Sequence, residues 1–300
     1  MFRTHPLDLH EIRSRIAGTL GVKDLASCAR VSQDWNDSFT PPLYNFVVLS
    51  YSLGSRSIVS FERNKHLIQH LKIQSLNDED LSSTYERYKV IPKIIANSIL
   101  TTLYSEGDSI GEDGFQALLG ALKTNSTLTT LNLYDSWIED DKAQALSEAL
   151  KTNSTTLDLL QNWVGDNGAK ALAEVLKTNS TLTTLNLGSN NSIGDDGAVA
   201  LAEALKTNST LITFTISGES IGLNGAQALS EAIKTNSTLT TLNLILNSIG
   251  DSGAQALAEA LKTNSILTFL DLQNNSIGPN GAQALFEARN TNLTLILFIL

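Results

Sequence analysis

The phrase Lys-Thr-Asn-Ser recurs at Lys123, Lys151, Lys177, Lys206, Lys234 and Lys262, at spacings of 28, 26, 29, 28 and 28 residues. Self-similarity at that period constrains the fold more than any single motif. Each unit is too small to bury its own apolar face, and stacked copies bury a continuous one. Near-identical units build a surface more readily than a unique catalytic cleft, so the pattern points to a non-enzyme.

One unit, residues 182–210, shows what is repeated. Leu185 and Leu187 alternate with polar neighbours, the period-2 signature of a strand with one buried face. Ser189-Asn190-Asn191 turns the chain, Ile193 returns to the core, and Gly194 is read as relieving an unusual backbone angle. Asp195 and Asp196 stand where a helix begins, suited to its N-cap and positive dipole end. Gly197, Leu201, Ala204 and Leu205 then form one apolar stripe, with Glu203 outward. Lys206 suits the negative end, and Asn208 is read as a left-handed helix terminator. A parallel sheet on the inside and helices on the outside follow.

The run Leu239-Thr-Thr-Leu242-Asn-Leu244-Ile-Leu-Asn247-Ser-Ile249-Gly resembles the leucine-rich repeat, and the following residues 253–261 resemble its ribonuclease-inhibitor subtype. The resemblance covers residues 100–300 and implies an α/β leucine-rich repeat horseshoe of seven units and a final strand. In that family the Asn after the strand bonds neighbouring backbone; here it is Asn162, Asn190 or Asn191, Asn247 and Asn275. Asp108, Ser136 and Glu219 replace it in other units, whose turns are expected to be looser. The third unit lacks two residues at its strand entry, which predicts an irregularity near Thr155 and Thr156.

Residues 1–45 read differently. Ile12, Ile16 and Leu20 make one helical stripe, and Asp24 precedes a second carrying Leu25, Cys28 and Val31, closed by Trp35. With Leu9 and Glu11 this resembles an F-box, the departure being His10 where that family usually has Pro. The resemblance implies a small helical domain that docks onto the Skp-family adaptor of a cullin-RING ubiquitin ligase through Leu9, His10, Glu11, Ile12 and Ile16. The repeats would then hold an unknown protein substrate. The alternative is a free-standing leucine-rich repeat scaffold or inhibitor with no ligase role. A GTPase-activating role would need a placed Arg, and the array's one Arg, Arg289, has no such setting. Residues 46–99 are read as a connecting segment with a degenerate first repeat, residues 46–49 and 67–73 being candidate strands.

Charge and composition narrow the partners. The net charge is −10. Residues 1–99 carry +2 and residues 100–300 carry −12, so the array is the acidic part. That disfavours nucleic acid, whose phosphates need basic contacts. No apolar run has the length of a membrane span. The single Cys28 and the absence of an apolar leader near Met1 suggest a cytoplasmic or nuclear chain without a disulfide framework. No cofactor is expected. His66 and His70, four apart, would share one face of a strand and are read as structural rather than metal ligands. The Asn-Ser-Thr triplets match a glycosylation pattern and are read as helix-end chemistry.

Candidate contacts are the places where regularity fails. Trp137 and Trp163 occupy one position in adjacent units where others carry Ser, either as a binding pair or as filler beside the shortened unit. Tyr104, Tyr134, Ile245 and Phe269 interrupt an inner face otherwise made of Thr and Asn. The apolar end at residues 293–300 is read as that of a truncated chain, or else as an edge that meets a partner.

Overall fold

The strands and helices alternate along the chain as the period requires. The structure is a computed structural model that describes residues 46–49, 65–73, 95, 99–107, 110–150, 154–190, 192–292 and 295–298. The F-box-like segment, with Leu9, His10, Glu11, Ile12 and Ile16, lies outside the described residues, as does Asp108. Strands β1 (Phe46–Leu49), β2 (His70–Ile73) and β3 (Thr102–Glu106) come first. Helix α1 (Gly111–Leu122), β4 (Thr130–Tyr134), α2 (Asp140–Ala149), β5 (Thr156–Asp158) and α3 (Asp166–Leu176) follow. Then come β6 (Thr184–Asn186), α4 (Asp195–Leu205), β7 (Thr213–Thr215), α5 (Leu223–Thr235), β8 (Thr241–Asn243), α6 (Gly250–Leu261), β9 (Phe269–Asp271), α7 (Pro279–Thr291) and β10 (Ile296–Phe298). The ten strands form one parallel sheet in chain order, with the helices layered on one face: the expected α/β horseshoe.

Register stacks like on like. Leu71, Leu103, Leu131, Leu157, Leu185, Phe214, Leu242 and Leu270 pair in sequence across the sheet and are all fully buried. Burying one such side chain contributes about 1.5–3 kcal/mol, so this row alone accounts for a large part of the driving force. A second row, Leu133, Leu159, Leu187, Ile216, Leu244 and Leu272, lies beneath the turns. His66 sits in a one-turn 3-10 helix (Lys65–Leu67) while His70 opens β2, so the two do not share a strand face as expected.

Three polar ladders tie each repeat to the one before, and two of them correct the local reading of the sequence. Asn236 is buried and extended (φ −71°, ψ 131°), not left-handed. Its Nδ2 donates to the Leu205 and Asn208 carbonyls at 2.7 and 3.1 Å, and its Oδ1 accepts from the Thr238 and Leu239 N–H groups at 3.0 and 2.7 Å. Asn125, Asn179, Asn208 and Asn264 act in the same way. The phrase therefore closes the carbonyls left open at the end of the preceding helix. Four of these five, Asn125, Asn179, Asn208 and Asn236, stand in Asn-Ser-Thr triplets; because their amides are buried and engaged, the folded array does not present them for glycosylation.

The helix-start aspartates also act across repeats. Asp195 Oδ1 accepts from the N–H groups of Gly222 and Gly225, at the start of the next helix, at 2.7 and 2.9 Å. Asp140 caps α3 and Asp166 caps α4 in the same way. Gly194 has φ −101°, open to any residue, and a Cβ there would meet Asp166 only at ordinary contact distance, so neither a special angle nor a close approach requires glycine; its N–H donates to Asp166 Oδ1 at 2.8 Å.

The third ladder is the Asn after the strand. Asn162 accepts from the Ser136 and Ile138 N–H groups and donates to the Leu133 carbonyl. Glu219 does not loosen its turn as expected: its two carboxylate oxygens accept from the Asn190 and Ile193 N–H groups at 2.5 and 3.1 Å, replacing the amide oxygen. Ser136 keeps part of the donor role, its Oγ donating to the Tyr134 carbonyl at 3.1 Å.

The shortened unit keeps its register, with Thr156 level with Thr130 and Thr184. The irregularity falls one step earlier, at Ser154. Thr181 Oγ1 donates to the Ser154 carbonyl as Thr210 Oγ1 does to that of Leu182, so Ser154 occupies a position that is leucine elsewhere. It is 2% exposed, has φ 68°, and its hydroxyl is buried with no partner among the described residues. Left-handed strain and an unsatisfied hydroxyl each cost on the order of 1 kcal/mol. Replacing Ser154 by Gly removes both, against a smaller entropic loss. It is expected to raise stability by about 1 kcal/mol, read as a higher urea midpoint at unchanged slope; a lower midpoint would contradict the strain.

Candidate functional site

At the end of every strand the chain must leave the sheet and reach a helix in a few residues. The first turn residue takes a positive φ in each unit: Gly107 67°, Asp135 50°, Gln161 56°, Ser189 56°, Gly218 71°, Leu246 58° and Asn274 57°. Their N–H groups continue the sheet pairing, with Asp135 donating to Leu160, Gln161 to Gly188 and Leu246 to Gln273. The turns therefore stack at the strand spacing and form one continuous edge.

Trp137 and Trp163 stand on that edge, 59% and 63% exposed, while the Ile138 and Val164 that follow them plug into the core. The two turns are joined directly: the Trp163 N–H donates to the Ile138 carbonyl at 2.9 Å. Trp137 has φ 55°, a conformation costly for a bulky side chain, with its ring mostly in water. At that position Ser192, Ser220, Ser248 and Ser276 are exposed in other units. The filler reading of the two rings does not fit this placement. The deletion acts at Ser154, where β5 begins, whereas the rings follow the far ends of β4 and β5.

Around these rings the charge is negative. Asp135 and Glu139 on the same turn and Asp141 at the start of α2 are exposed, and among the described residues none of them is in an ion pair. Lys142, the one cation of that segment, is committed: its Nζ donates to the Trp137 carbonyl at 3.3 Å and lies 5.5 Å from the Phe115 ring centre. A cleft of about 220 Å³ opens between neighbouring turns, walled by Asp135, Gln161, Trp163 and Ser189 and floored by Asn162 and Asn190.

The inner face is less concentrated. Tyr104 is 39% exposed; Tyr134, Ile245 and Phe269 are half-buried. Tyr104 lies level with Asn132, Asp158, Asn186, Thr215, Asn243 and Asp271, whereas Phe269 belongs to the row of Thr241 and Thr213. The two tyrosines thus sit toward one end of the array and Ile245 with Phe269 toward the other, with amides and hydroxyls between. Asp158 is held in that stretch by Asn132 Nδ2 at 2.8 Å and the Leu160 N–H at 3.0 Å. Burial pushes its carboxyl above the usual range, opposed by the bonds from Leu160 and Asn186.

Sequence reasoning did not single out Leu246 and Ile212, which are 56% and 45% exposed; Ile296, 55% exposed, falls within the apolar end at residues 293–300 noted from the sequence. Each replaces a small or polar residue at its repeat position, the same signal that marked the tryptophans. It also passed over Asp135, whose place beside Trp163 depends on the stacking of two turns. A shallow groove between α2 and α3, of about 380 Å³, is lined by Gln144, Ser147, Glu148, Ala171, Glu174, Val175 and Thr178 and gathers no aromatic ring.

A comparison with known families matches the Leucine Rich repeat at residues 124–147, 155–173, 178–202, 235–258 and 263–286. Those five stretches match leucine-rich repeats, in keeping with the α/β horseshoe fold of the array. Among solved structures, the repeats are similar to leiomodin-1 actin-binding site 2, at 19% identity and TM-score 0.42, covering 54% of this chain and 91% of that one. They are also similar to the tropomodulin C-terminal domain of Caenorhabditis elegans, at 13% identity and TM-score 0.43, covering 51% and 93%. Curated proteins give no match. Among the described residues, no helix is long and apolar enough to cross a membrane, and no group of three or more His, Cys, Asp or Glu could hold a metal ion.

Proposed function

We propose that this chain is a non-catalytic protein-interaction adaptor, serving as the substrate-recognition subunit of a cullin-RING ubiquitin ligase. In this reading the F-box-like residues Leu9, His10, Glu11, Ile12 and Ile16 dock onto a Skp-family adaptor, and the leucine-rich repeats hold the protein substrate. The observation that carries the recognition role is the pair of exposed tryptophans on the turn edge. The repeated Asn and Asp side chains are largely consumed in stitching repeats together, whereas Trp137 and Trp163 give the fold little and offer the large, rigid contact area typical of binding hot spots. Tyr104, Tyr134, Ile245 and Phe269 on the inner face are secondary contacts. A chain doing this work would act in the cytoplasm or nucleus. His10, standing where F-boxes usually have Pro, favours a second reading: a free-standing scaffold or inhibitor that needs no adaptor.

Co-purification of the full chain with a Skp-family adaptor separates the two. The adaptor is expected to be retained by wild type and by the Trp137→Ser/Trp163→Ser variant, and lost from the Leu9→Asp/Ile12→Asp variant. A stable complex that contains no ligase component, or adaptor binding indifferent to Leu9 and Ile12, would select the scaffold.

A further inference from the structure

We infer that the cleft between Asp135 and Trp163 takes an arginine side chain from a basic segment of the partner protein. The inference rests on the recognition role proposed above and names the chemistry that such a partner must present.

The size of the cleft argues first. At about 220 Å³ it is smaller than the roughly 300–1,000 Å³ usual for small-molecule pockets, and it suits a single inserted side chain. Its composition argues second. One lining residue is an indole 63% exposed, a ring type whose face attracts a cation; the neighbouring turn lines the same cleft with the Asp135 carboxylate. A guanidinium satisfies both at once, stacking flat on the ring while its N–H groups donate to the carboxylate; an ammonium, being compact and strongly hydrated, does so less well. The floor does not compete: the amides of Asn162 and Asn190 are occupied with backbone of their own and preceding turns.

The surroundings argue third. Glu139 and Asp141 extend negative charge from the turn that carries Trp137 into the start of α2, and Lys142 is held back against the Phe115 ring and the Trp137 carbonyl. A basic segment approaching this edge meets carboxylates that pair with no cation among the described residues, and a second exposed ring. An acidic segment, or an anionic lipid surface, is repelled by the same groups, and like charge set against like charge costs binding.

The test uses the full chain and short synthetic peptides alternating glycine with arginine, with lysine or with glutamate, followed by titration calorimetry. The arginine peptide is expected to bind more tightly than the lysine peptide, and the glutamate peptide not to bind. Trp163→Ser, which leaves net charge unchanged, and Asp135→Asn should each weaken the arginine peptide by about tenfold or more. Glu148→Gln, which removes one exposed carboxylate from a different surface, should leave affinity unchanged. Binding that survives Trp163→Ser, or falls as much with Glu148→Gln as with Asp135→Asn, would reduce the effect to diffuse charge attraction and overturn the inference. Thermal melts of each variant guard against misfolding; Trp137→Ser, introducing the residue that other repeats use there, is a folded companion variant expected to weaken the peptide less than Trp163→Ser. The adaptor co-purification is read separately, so retention of the adaptor by a chain that ignores the arginine peptide sinks this inference alone.

Discussion

Replacing Asn236 by alanine is expected to destabilise the array by about 3–4 kcal/mol, the largest loss from any single polar side chain discussed. The amide serves four backbone groups: the Leu205 and Asn208 carbonyls of one repeat and the Thr238 and Leu239 N–H groups of the next. Asn236 is 6% exposed and Leu239 3%, so water reaches the vacated partners poorly. Each buried backbone group left without a partner costs about 1–3 kcal/mol, and four partly relaxed ones bring the sum to the value given. Repeat arrays are stabilised by the repeats and by the interfaces between neighbours, so the damage is confined to one junction. Urea unfolding followed by circular dichroism should show a lower midpoint and a broader transition, and the Thr238 and Leu239 amides should exchange faster than in wild type. Asn236→Asp should not rescue the loss, because it keeps the acceptor but points a carboxylate at two carbonyls. A cost below about 1 kcal/mol would mean that water replaces the amide and that the phrase does not lock the junction between repeats.

The same residue shows where sequence reading stops. Leu185 and Leu187 alternate as a half-buried strand must, and Gly197, Leu201, Ala204 and Leu205 recur as a helix must, so period and pattern sufficed for the horseshoe. Those signals are local, and the partners that matter next are not. Asn208 looks like a helix terminator because its sequence neighbours end a helix, yet its Nδ2 reaches the Leu176 carbonyl 32 residues back. Asp195 looks like the cap of its own helix and instead caps the following one, 27 and 30 residues ahead. Glu219 looks like a misfit, but a carboxylate's two acceptors suit a turn that offers two N–H groups. On the turn edge, Trp137 and Trp163 were legible as departures from Ser. Their exposure and the placing of Asp135 beside Trp163 were not, because both depend on how neighbouring turns stack. The F-box-like residues from Leu9 to Ile16 lie outside the described residues, so the adaptor role rests on their resemblance alone.

Two glycine-to-alanine substitutions, both within helices, are expected to change stability in opposite directions. By propensity alone each should help by about 0.5–1 kcal/mol, since alanine loses less backbone entropy than glycine on entering a helix. At Gly120 in α1 nothing lies within 4 Å of the added Cβ, so the gain is kept. At Gly225 in α5 the Cβ would lie 2.6 Å from Ile221 Cγ2, 2.9 Å from Ala198 Cβ and 2.9 Å from Asp195 Oδ1. Ile221 and Ala198 are fully buried in the core, so neither can retreat into solvent. The new methyl has to push α5 away from α4, lengthening the cap that Asp195 makes to the Gly222 and Gly225 N–H groups. Overpacking of this kind costs about 1–3 kcal/mol, more where a backbone cap is strained with it, which exceeds the propensity gain. Gly225→Ala is therefore expected to lower stability by about 2 kcal/mol, and Gly120→Ala to raise it by about 0.5–1 kcal/mol, both read from urea midpoints at constant slope. Gly168, Gly197, Gly253 and Gly281 meet contacts of the same kind, each within 3.0 Å of an alanine on the preceding helix. If Gly225→Ala stabilises the protein as Gly120→Ala does, the close helix spacing is not what those glycines secure, and the small residues of the helical stripe need another explanation.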